Sequence, residues 1–539
     1  MAFETRLTDA MVETYLQAGF WGSDTIYGSL ERTASTHPDR EALYDGQHRL
    51  TYTQLRDRVN RVAATLSEQG IGAGDVVTIQ IPNWVEYPCV FFALERIGAV
   101  ANPVSVDFRT RELEYILRFS ESRAFISCST FKGYDYSAMI RELLPKLPDL
   151  KLVGVVRSGG GEGVISLDGA IHGDDPVRPF APYRLDANEI TRMAFTSGTT
   201  GNPKGVIHSQ NTTLSTAVIQ NRDMGFTDED AFLIYLPLGL NWGFLALVET
   251  IILGARAVLL DQFNALKALE LIERERVTFI PTAPASIIAM LNENALPGFD
   301  LSSLRMVMSG GASCPIEVIR EYRAKLQGYF VELYGMLETG FHTYTRTTDD
   351  PERVAGSVGT VATGMGVRVI DDKGRDVPRG EVGEIAADGP CVHLGYHKNP
   401  AANAELFTED GWFRTGDLGR FDELGLLHIA GRLKEIINRG GKKFLPREIE
   451  EILYTHPKVL HAAVIGVPDA RLGERNCLCL IPREGQSVTL EEMVGFLKDE
   501  VATYKLPEQL EIVEAFPFTP TGKLQRHVLA QQVLERRSG

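Results

Sequence analysis

The sequence predicts an α/β protein with a large N-terminal domain of layered α/β sheets, a β-rich subdomain and a small α+β C-terminal domain. The chain has 539 residues, which is too long for a single hydrophobic core. Short apolar runs alternate with helical segments over most of its length, an order typical of mainly parallel sheets. Past about residue 350 the runs alternate as in hairpins, and a compact α+β pattern begins near residue 432.

The N-terminal elements follow from hydrophobic periodicity. Thr51 or Thr53 precedes an amphipathic run, which predicts a capped helix over residues 55–69. A second helix, over residues 90–97, is expected to end at Gly98. Short apolar runs predict strands at 75–81, 124–128, 152–156, 190–195, 257–260, 277–280 and 306–309.

The C-terminal elements change character. Residues 366–374 predict half of a hairpin with a glycine turn, and residues 424–430 predict another strand. The α+β unit that follows is expected to contain helices at 446–454 and 490–500 and strands at 462–467, 476–481 and 509–513. We therefore expect a core domain over residues 1–431, a hinge at 432–434 and a C-terminal domain over 435–539.

Composition excludes several classes of protein. The 55 basic and 71 acidic residues give a net charge of −16, which argues against general binding of nucleic acid or anionic membranes. Six cysteines are too few for a disulfide framework, and their spacing does not fit a zinc site. Residues 1–15 lack the apolar core of a secretory signal. The most apolar stretch, 243–260, contains Glu249 and Arg256, so we expect no membrane span and a cytoplasmic location.

A loop rich in glycine and hydroxyl groups is the strongest local signal. Residues 196–205, TSGTTGNPKG, hold three glycines, four hydroxyl residues and one lysine after a predicted strand. Glycines let main-chain N–H groups approach phosphate oxygens, and Lys204 adds a positive charge. The loop is not a Walker A motif, because Asn202 and Pro203 separate Gly201 from the lysine. The alternative interpretation is a flexible surface loop.

Four further motifs extend this signal. They are Tyr334–Gly335–Met336–Leu337–Glu338, residues 411–417 (GWFRTGD), residues 431–435 (GRLKE) followed by Gly440–Gly441 and residues 446–450, and residues 517–526 (PFTPTGKLQR). Together with the loop, in this order and over nearly the whole chain, they resemble the motifs of the adenylate-forming superfamily: acyl-CoA synthetases, luciferases and nonribosomal adenylation domains. The resemblance implies that ATP and a carboxylate react to give an acyl-adenylate and pyrophosphate.

The resemblance also implies roles for individual residues. Lys523 would stand between the carboxylate and the α-phosphate, and Lys204 would face the β- and γ-phosphates; these two and Glu338 form the expected catalytic set. Glu338 and Thr196 would hold Mg²⁺, a hard cation suited to oxygen ligands. Asp417 would bind the ribose hydroxyls. The expected ATP-binding residues are Thr196, Ser197, Gly198, Thr199, Thr200, Gly201, Lys204, Gly311, Glu332, Leu333, Tyr334 (stacked on adenine), Gly335, Asp417, Arg432 and Lys523.

The family resemblance further implies a mobile C-terminal domain and a coenzyme A face. The domain would rotate at Lys434 after adenylation, which would remove Lys523 and bring in the glycine pair. The residues expected to bind coenzyme A are Arg439, Gly440, Gly441, Lys442 and Lys443. The alternative is an ordinary solvated basic patch.

Some positions depart from the family pattern. Leu337 stands where the family has a threonine whose hydroxyl touches the α-phosphate, and leucine cannot donate a hydrogen bond. Leu240 stands where histidine or an aromatic residue is frequent, and Gln210 replaces a frequent histidine. We therefore expect a large, apolar acid pocket. Its expected lining is Leu240, Asn241, Trp242, Gly310, Gly311, Met336 and Leu337.

Residues 15–21 and 469–475 are similar to those of cyclohexanecarboxylate–CoA ligases, medium-chain acyl-CoA synthetases and dihydroxybenzoate-adenylate ligases. Asn241 either reads a ring hydroxyl, as in aryl-acid activators, or bonds its own backbone in a loop. The first hypothesis is an AMP-forming carboxylate–CoA ligase for a cyclic, aromatic or medium-chain acid, with ATP, Mg²⁺ and coenzyme A. The alternatives are transfer of the acyl group to an amine or a carrier-protein thiol, and a degenerate ATP-binding protein. A homodimer is left open.

Overall fold

The structure is a computed structural model of the chain. It describes residues 3–161, 163–196, 203–312, 314–326, 328–469, 471–518 and 524–538. All structural statements below refer to these residues.

The described helices have the following bounds. They are α1 (Asp9–Gln17), α2 (Ile26–Thr36), α3 (Tyr52–Glu68), α4 (Glu86–Ile97), α5 (Thr110–Phe119), α6 (Tyr136–Leu143), α7 (Asp168–His172), α8 (Gln210–Met224), α9 (Asn241–Leu253), α10 (Ala265–Glu275), α11 (Pro284–Leu291), α12 (Ile316–Lys325), α13 (Pro351–Val354), α14 (Pro400–Glu405), α15 (Arg447–Leu453), α16 (Leu490–Leu497) and α17 (Arg526–Ser538).

The described strands have the following bounds. They are β1 (Glu41–Tyr44), β2 (Arg49–Thr51), β3 (Val76–Gln80), β4 (Val100–Pro103), β5 (Ala124–Cys128), β6 (Thr130–Phe131), β7 (Tyr134–Asp135), β8 (Leu152–Val156), β9 (Ile165–Ser166), β10 (Ile190–Phe195), β11 (Gly205–Ser209), β12 (Ala231–Ile234), β13 (Arg256–Leu259), β14 (Phe279–Thr282), β15 (Met306–Ser309), β16 (Tyr329–Met336), β17 (Gly340–Tyr344), β18 (Thr360–Val361), β19 (Gly366–Ile370), β20 (Gly383–Asp388), β21 (Phe413–Phe421), β22 (Leu427–Arg432), β23 (Ile437–Arg439), β24 (Lys442–Phe444), β25 (Val459–Asp469), β26 (Gly473–Pro482) and β27 (Gln509–Ile512).

Two large sheets with parallel centres form the N-terminal part. One has the order β18-β17-β16-β15-β14-β12-β13-β1-β2, and the other has the order β11-β10-β4-β3-β5-β8-β9. The central pairs, such as β14 with β15 and β3 with β5, run parallel. Antiparallel strands form three of the four edges, and β9 closes the fourth in parallel. Strands buried on both faces carry near-continuous apolar sequences, as β5 and β8 do here.

Two smaller sheets follow. Strands β19 to β22 form an antiparallel meander, and β24-β23-β26-β25 form a C-terminal sheet to which β27 adds in parallel. A large N-terminal part of layered sheets, a β-rich unit and a smaller α+β C-terminal part are thus present, and the predicted fold class is confirmed.

Local sequence patterns predicted the ends of several elements correctly. Strands β5, β8, β10 and β15 have the predicted bounds. Helix α3 begins at Tyr52, earlier than predicted, because Thr51 and Gln54 form a reciprocal capping box. Gly98 ends α4 with a left-handed φ of 73°, which glycine adopts without steric cost.

Two structural findings concern disulfide bonds and membrane spans, which the composition argued against. The six cysteines are unpaired and buried. In the described part of the chain, no helix combines the length and the apolar character needed to cross a membrane.

Candidate active site

A cavity of about 710 Å³ lies between the N-terminal sheets and the C-terminal sheet. Its N-terminal wall includes Tyr334 on β16 and Asp417 on β21. Its C-terminal wall includes Phe518, Leu524 and Arg526, which belong to the motif at residues 517–526. Four of the sequence motifs therefore contribute described residues to one cavity, namely those that contain Tyr334, Asp417, Arg432 and Arg526, and Gly311 lines it as well.

Asp417 is the centre of a hydrogen-bonded triad on the N-terminal wall. The Tyr334 hydroxyl donates to its Oδ2 over 2.8 Å, and the Arg432 Nε lies 3.2 Å from its Oδ1. The strands explain the approach, because Asp417 and Arg432 are register partners across β21 and β22. Asp417 is 6% exposed, so its charge is compensated by the guanidinium. Each carboxylate oxygen keeps a lone pair for a further donor.

Tyr334 presents an aromatic surface to this cavity. Its ring centroid lies 4.4 Å from that of His342 on β17, so one face of the phenol is covered. Burial, and next the Asp417 charge, raises the pKa of Tyr334 well above its usual value. The hydroxyl therefore stays protonated and donates.

Glu332 is buried behind the cavity. Its Oε1 has no hydrogen-bond partner in the described part of the chain, and burial raises the pKa of this carboxyl well above its usual value. The Arg447 charge, from helix α15 of the C-terminal part, opposes that rise. Leu333 and Gly335 on the same strand line the cavity, whereas Glu332 is not among the lining residues.

Thr196 and Lys204 form the base of the glycine-rich loop. The Thr196 N–H donates to the Lys204 carbonyl over 3.1 Å, and the Lys204 N–H donates to the Thr196 hydroxyl over 3.2 Å. These bonds continue the antiparallel pairing of β10 with β11. Residues Ser197, Gly198, Thr199, Thr200 and Gly201 lie outside the described residues, as does Lys523.

Tyr396 connects this loop to Glu338. Its hydroxyl donates to Glu338 Oε1 over 3.0 Å, and the Lys204 Nζ lies 5.2 Å from the centroid of its ring. The Glu338 carbonyl accepts from the His393 N–H over 2.7 Å, which fixes the main chain as well. Sequence reasoning missed Tyr396, because it reaches Glu338 across 58 residues and belongs to none of the motifs quoted above.

Glu338 and Thr196 offer a carboxylate and a hydroxyl oxygen. Both are hard ligands of the kind that Mg²⁺ prefers. Glu338 is half-buried, and Tyr396 occupies one position on one of its oxygens. The residues present therefore fit a magnesium ion.

The residues of the predicted acid pocket divide between two places. Gly311 lines the cavity, whereas Leu240, Asn241, Trp242, Gly310, Met336 and Leu337 are not among its lining residues. The Trp242 indole covers Gly310 so closely that a Cβ there would lie 2.8 Å from the ring. Asn241 is the first residue of α9, and its Oδ1 accepts from Arg192 over 2.9 Å.

Two departures from the family pattern have structural partners. The Leu337 carbonyl lies 2.9 Å from the His208 Nε2, and its side chain packs against the main core. Gln210 is buried, and its amide donates to Glu95 over 2.7 Å. Gln210 therefore holds α8 to α4 and belongs to the core.

The predicted coenzyme A face is a hairpin whose residues are not among those lining the cavity. Gly440 and Gly441 form the turn between β23 and β24, with φ angles of 61° and 86°. Lys442 and Lys443 are exposed, whereas the Arg439 guanidinium makes two 2.8 Å bonds to Glu508. Lys434 lies in the exposed turn that precedes this sheet.

A cavity walled by a Tyr–Asp–Arg triad offers hydrogen-bonding and stacking groups suited to a nucleotide, and Glu338 elsewhere in the N-terminal part offers a carboxylate suited to Mg²⁺. The AMP-binding enzyme family matches residues 30–397, and the AMP-binding enzyme C-terminal domain matches residues 448–523. The chain belongs to the AMP-binding enzyme family, which confirms the resemblance to adenylate-forming enzymes.

Relatives of known name span nearly the whole chain. The medium-chain fatty-acid–CoA ligase of Escherichia coli K12 is 34% identical over 528 residues, which are 97% of this chain and 93% of that protein. The 2,3-dihydroxybenzoate–AMP ligase of Bacillus subtilis 168 is 32% identical over 535 residues, 98% and 97% of the two chains. The anthranilate CoA ligase AuaEII, solved with anthranoyl-AMP, superposes with a TM-score of 0.88 at 26% identity and covers 96% of this chain and 98% of its own.

Proposed function

We propose that the protein is an ATP-dependent, AMP-forming carboxylate–CoA ligase that acts through an acyl-adenylate on a cyclic, aromatic or medium-chain acid. The observation that carries the proposal is the triad of Tyr334, Asp417 and Arg432 on the cavity wall. The remaining lone pairs of the Asp417 carboxylate suit ribose hydroxyls, and Tyr334 offers an aromatic surface beside them. Relatives named for medium-chain fatty acids and for dihydroxybenzoate support this class of acid.

The first step joins two anions. A carboxylate oxygen attacks the α-phosphorus of ATP, a C–O–P linkage forms, and the bond to pyrophosphate breaks. Such a step needs positive charge placed in advance where negative charge develops. We assign that role to Lys523, because its flanking residues Phe518 and Leu524 line the cavity. Lys204, held beside the Tyr396 ring, would neutralise the departing pyrophosphate.

Glu338 and Thr196 would hold Mg²⁺, which when bound supplies charge neutralisation at the phosphate oxygens. The Tyr396 hydroxyl orients the Glu338 carboxylate for this role. The His393 N–H fixes the Glu338 main chain, so the carboxylate is positioned from two sides.

In the second step a thiol loses its proton to water and its sulfur attacks the acyl carbonyl; a thioester forms, the acyl C–O bond breaks, and AMP leaves with the electrons of that bond. We assign coenzyme A recognition to the hairpin of Arg439, Gly440, Gly441, Lys442 and Lys443, and rotation to the turn at Lys434. The exposed lysines suit the phosphates of coenzyme A. The ion pair of Arg439 with Glu508 leaves less free charge on this face, and it favours the alternative acceptors, an amine or a carrier-protein thiol.

The test measures AMP release from ATP and Mg²⁺ with cyclic, aryl and linear acids, with and without coenzyme A. AMP that rises with coenzyme A, together with a thioester product, supports the ligase. Acyl-adenylate formation that coenzyme A does not accelerate moves the proposal to the alternative acceptors.

A pair of variants identifies the catalytic lysine. Lys523→Ala is expected to abolish adenylation. Lys498→Ala, at an exposed lysine of the same C-terminal part, is the matched control and keeps it. Activity in Lys523→Ala equal to that of the control would contradict the assigned role. Absence of AMP with every acid would support the degenerate ATP-binding protein instead.

A further inference from the structure

Arg192 is a buried cation without an anionic partner. The residue is 2% exposed, and among the described residues no carboxylate forms an ion pair with its guanidinium. Its Nε is buried and has no hydrogen-bond partner there, and the guanidinium carbon lies 4.3 Å from the Phe244 ring centroid. Burial lowers the pKa of Arg192 to about 10, so the side chain is charged at neutral pH. A buried charge is normally paired, so the guanidinium is expected to bind an anion or another hydrogen-bond acceptor.

The neighbouring charges do not supply that acceptor. His208, the register partner of Arg192 across β10 and β11, has its pKa lowered by burial and is neutral. Tyr87 is the titratable group whose charge acts on Arg192, and burial raises the pKa of Tyr87 well above its usual range, so this phenol stays neutral. Both groups are neutral, so neither supplies a negative charge to compensate the guanidinium.

Arg192 also fixes the direction of the Asn241 amide. The Nη1 of Arg192 donates to Asn241 Oδ1 over 2.9 Å. A guanidinium can only donate, so the amide oxygen must face it and the amide NH₂ must point away. That NH₂ lies 3.5 Å from the Met336 carbonyl, a long contact that leaves it available to a better acceptor.

The same place is the N-terminus of a 13-residue helix. Helix α9 begins at Asn241, and the residue before it, Leu240, provides no side-chain cap. Among the described residues, no acceptor is found for the main-chain N–H groups of Asn241 and Trp242. The Trp242 indole N–H is also without a partner there. Unsatisfied N–H groups and the helix dipole favour negative or lone-pair-bearing groups.

The position of Arg192 along β10 determines which part of a substrate could reach Arg192 and the start of α9. Arg192 and Thr196 lie on one face of the same extended segment, four residues apart, or about 13 Å. Met336, which contacts Asn241, precedes Glu338 by two residues. The donors therefore lie beside the expected acid pocket but away from the end at which the carboxylate would react.

We propose that Arg192, Asn241 and the start of α9 form a polar subsite in the acyl pocket, which binds an oxygen acceptor at the end of the acid remote from the reacting carboxylate. This inference rests on the proposed function and narrows its substrate class to acids with a distal oxo, hydroxyl or second carboxylate group. It also corrects the expectation of an apolar acid pocket, because the inner wall carries donors. Recognition of a hydroxyl by Asn241 is what the resemblance to aryl-acid activators already implies; the new assignment is Arg192, which positions that amide and supplies the charge.

The test compares acids in matched pairs by kcat/KM for AMP release. The pairs are 4-oxocyclohexanecarboxylate with cyclohexanecarboxylate, 4-hydroxybenzoate with benzoate, and 8-hydroxyoctanoate with octanoate. The expected result is a preference of about tenfold or more for the oxygen-bearing member of at least one pair, expressed in KM more than in kcat. Equal values within every pair would overturn the inference and leave the proposed ligase intact. No AMP from any acid would instead overturn the proposed function, and the inference with it.

Variants assign the preference to Arg192. In Arg192→Met the ratio within the preferred pair is expected to fall to within about twofold, and Arg192→Lys, which keeps the charge, is expected to restore part of it. Met193→Leu, on the opposite face of the strand, is the matched control and keeps the ratio. A preference that persists in Arg192→Met would overturn the assignment. If Arg192→Met does not fold, Arg192→Gln, neutral but polar, provides the same comparison.

Discussion

Replacing Tyr396 with phenylalanine removes one hydroxyl from the proposed metal site. The lost bond is the 3.0 Å donation to Glu338 Oε1. Bonds to charged groups contribute about 1.5–3 kcal/mol when buried, and Glu338 is half-buried, so water can replace part of the lost bond. We therefore expect a cost of about 1–2 kcal/mol, or a roughly 5- to 30-fold fall in kcat/KM.

The assay is AMP release by Tyr396→Phe over a series of Mg²⁺ concentrations. The loss should be largest at limiting Mg²⁺, because the hydroxyl is proposed to orient the carboxylate that holds the ion. Tyr27→Phe is the matched control: its hydroxyl donates to the Glu31 carboxylate over 2.8 Å, away from the site. An equal loss in both variants, or activity of Tyr396→Phe within twofold of the parent at limiting Mg²⁺, would refute the reasoning.

Four further predictions use the same structure. Leu337→Thr should raise the adenylation rate by up to about tenfold and narrow the range of acids, because the hydroxyl can donate to the α-phosphate; an unchanged rate and acid profile would count against this view. Asp417→Ala should raise the KM for ATP about tenfold with a smaller change in kcat, as the ribose contact is lost; steady-state kinetics at varied ATP decide it, and an unchanged KM contradicts the assignment. Burial raises the pKa of Glu95 to about 7, so its contribution to stability is complete below about pH 4.5 and is lost as pH rises through 7, about 3 kcal/mol in all; urea midpoints from pH 4.5 to 8 should show this slope in the parent and a flatter one in Glu95→Gln. Arg526→Met should destabilise the C-terminal part by about 3 kcal/mol, because it strips the 2.6 Å partner from Glu450; a calorimetric scan that matches the parent would show the ion pair to be unimportant.

The sequence predicted the fold well where local patterns decide it. Strands β5, β8 and β15 are four- or five-residue apolar runs buried on both faces, and few other structures suit such runs between turns. The fold class and family followed from the same patterns and from motif order. Helix ends were predicted less exactly. The sequence offers both Thr51 and Thr53 as caps of α3, and only the reciprocal bonds between Thr51 and Gln54 in the structure identify Thr51 as the cap.

The site was less predictable because its contacts are non-local. The Tyr334–Asp417 bond spans 83 residues, and the Tyr396–Glu338 bond spans 58. Motifs identified Tyr334, Asp417 and Glu338, but no spacing in the sequence indicates the Tyr396 hydroxyl. Arg192 carries no sequence signal of its own, because it lies within the apolar run that predicts strand β10.

The lysine motif and the Gly440–Gly441 turn differ in their relation to the cavity, and this bears on the order of the proposed steps. Phe518, Leu524 and Arg526 line the cavity, whereas Gly440 does not. Arg526 is bonded to Glu450 and to Glu435, so the residues after 523 are tied to the helix and turn at the start of the same sheet. The lysine motif therefore cannot leave the cavity alone without breaking these ion pairs. A rotation about residues 432–434 would move the whole C-terminal part and keep the pairs intact, so we infer that the arrangement described here suits acid activation and that the thiol step requires that rotation.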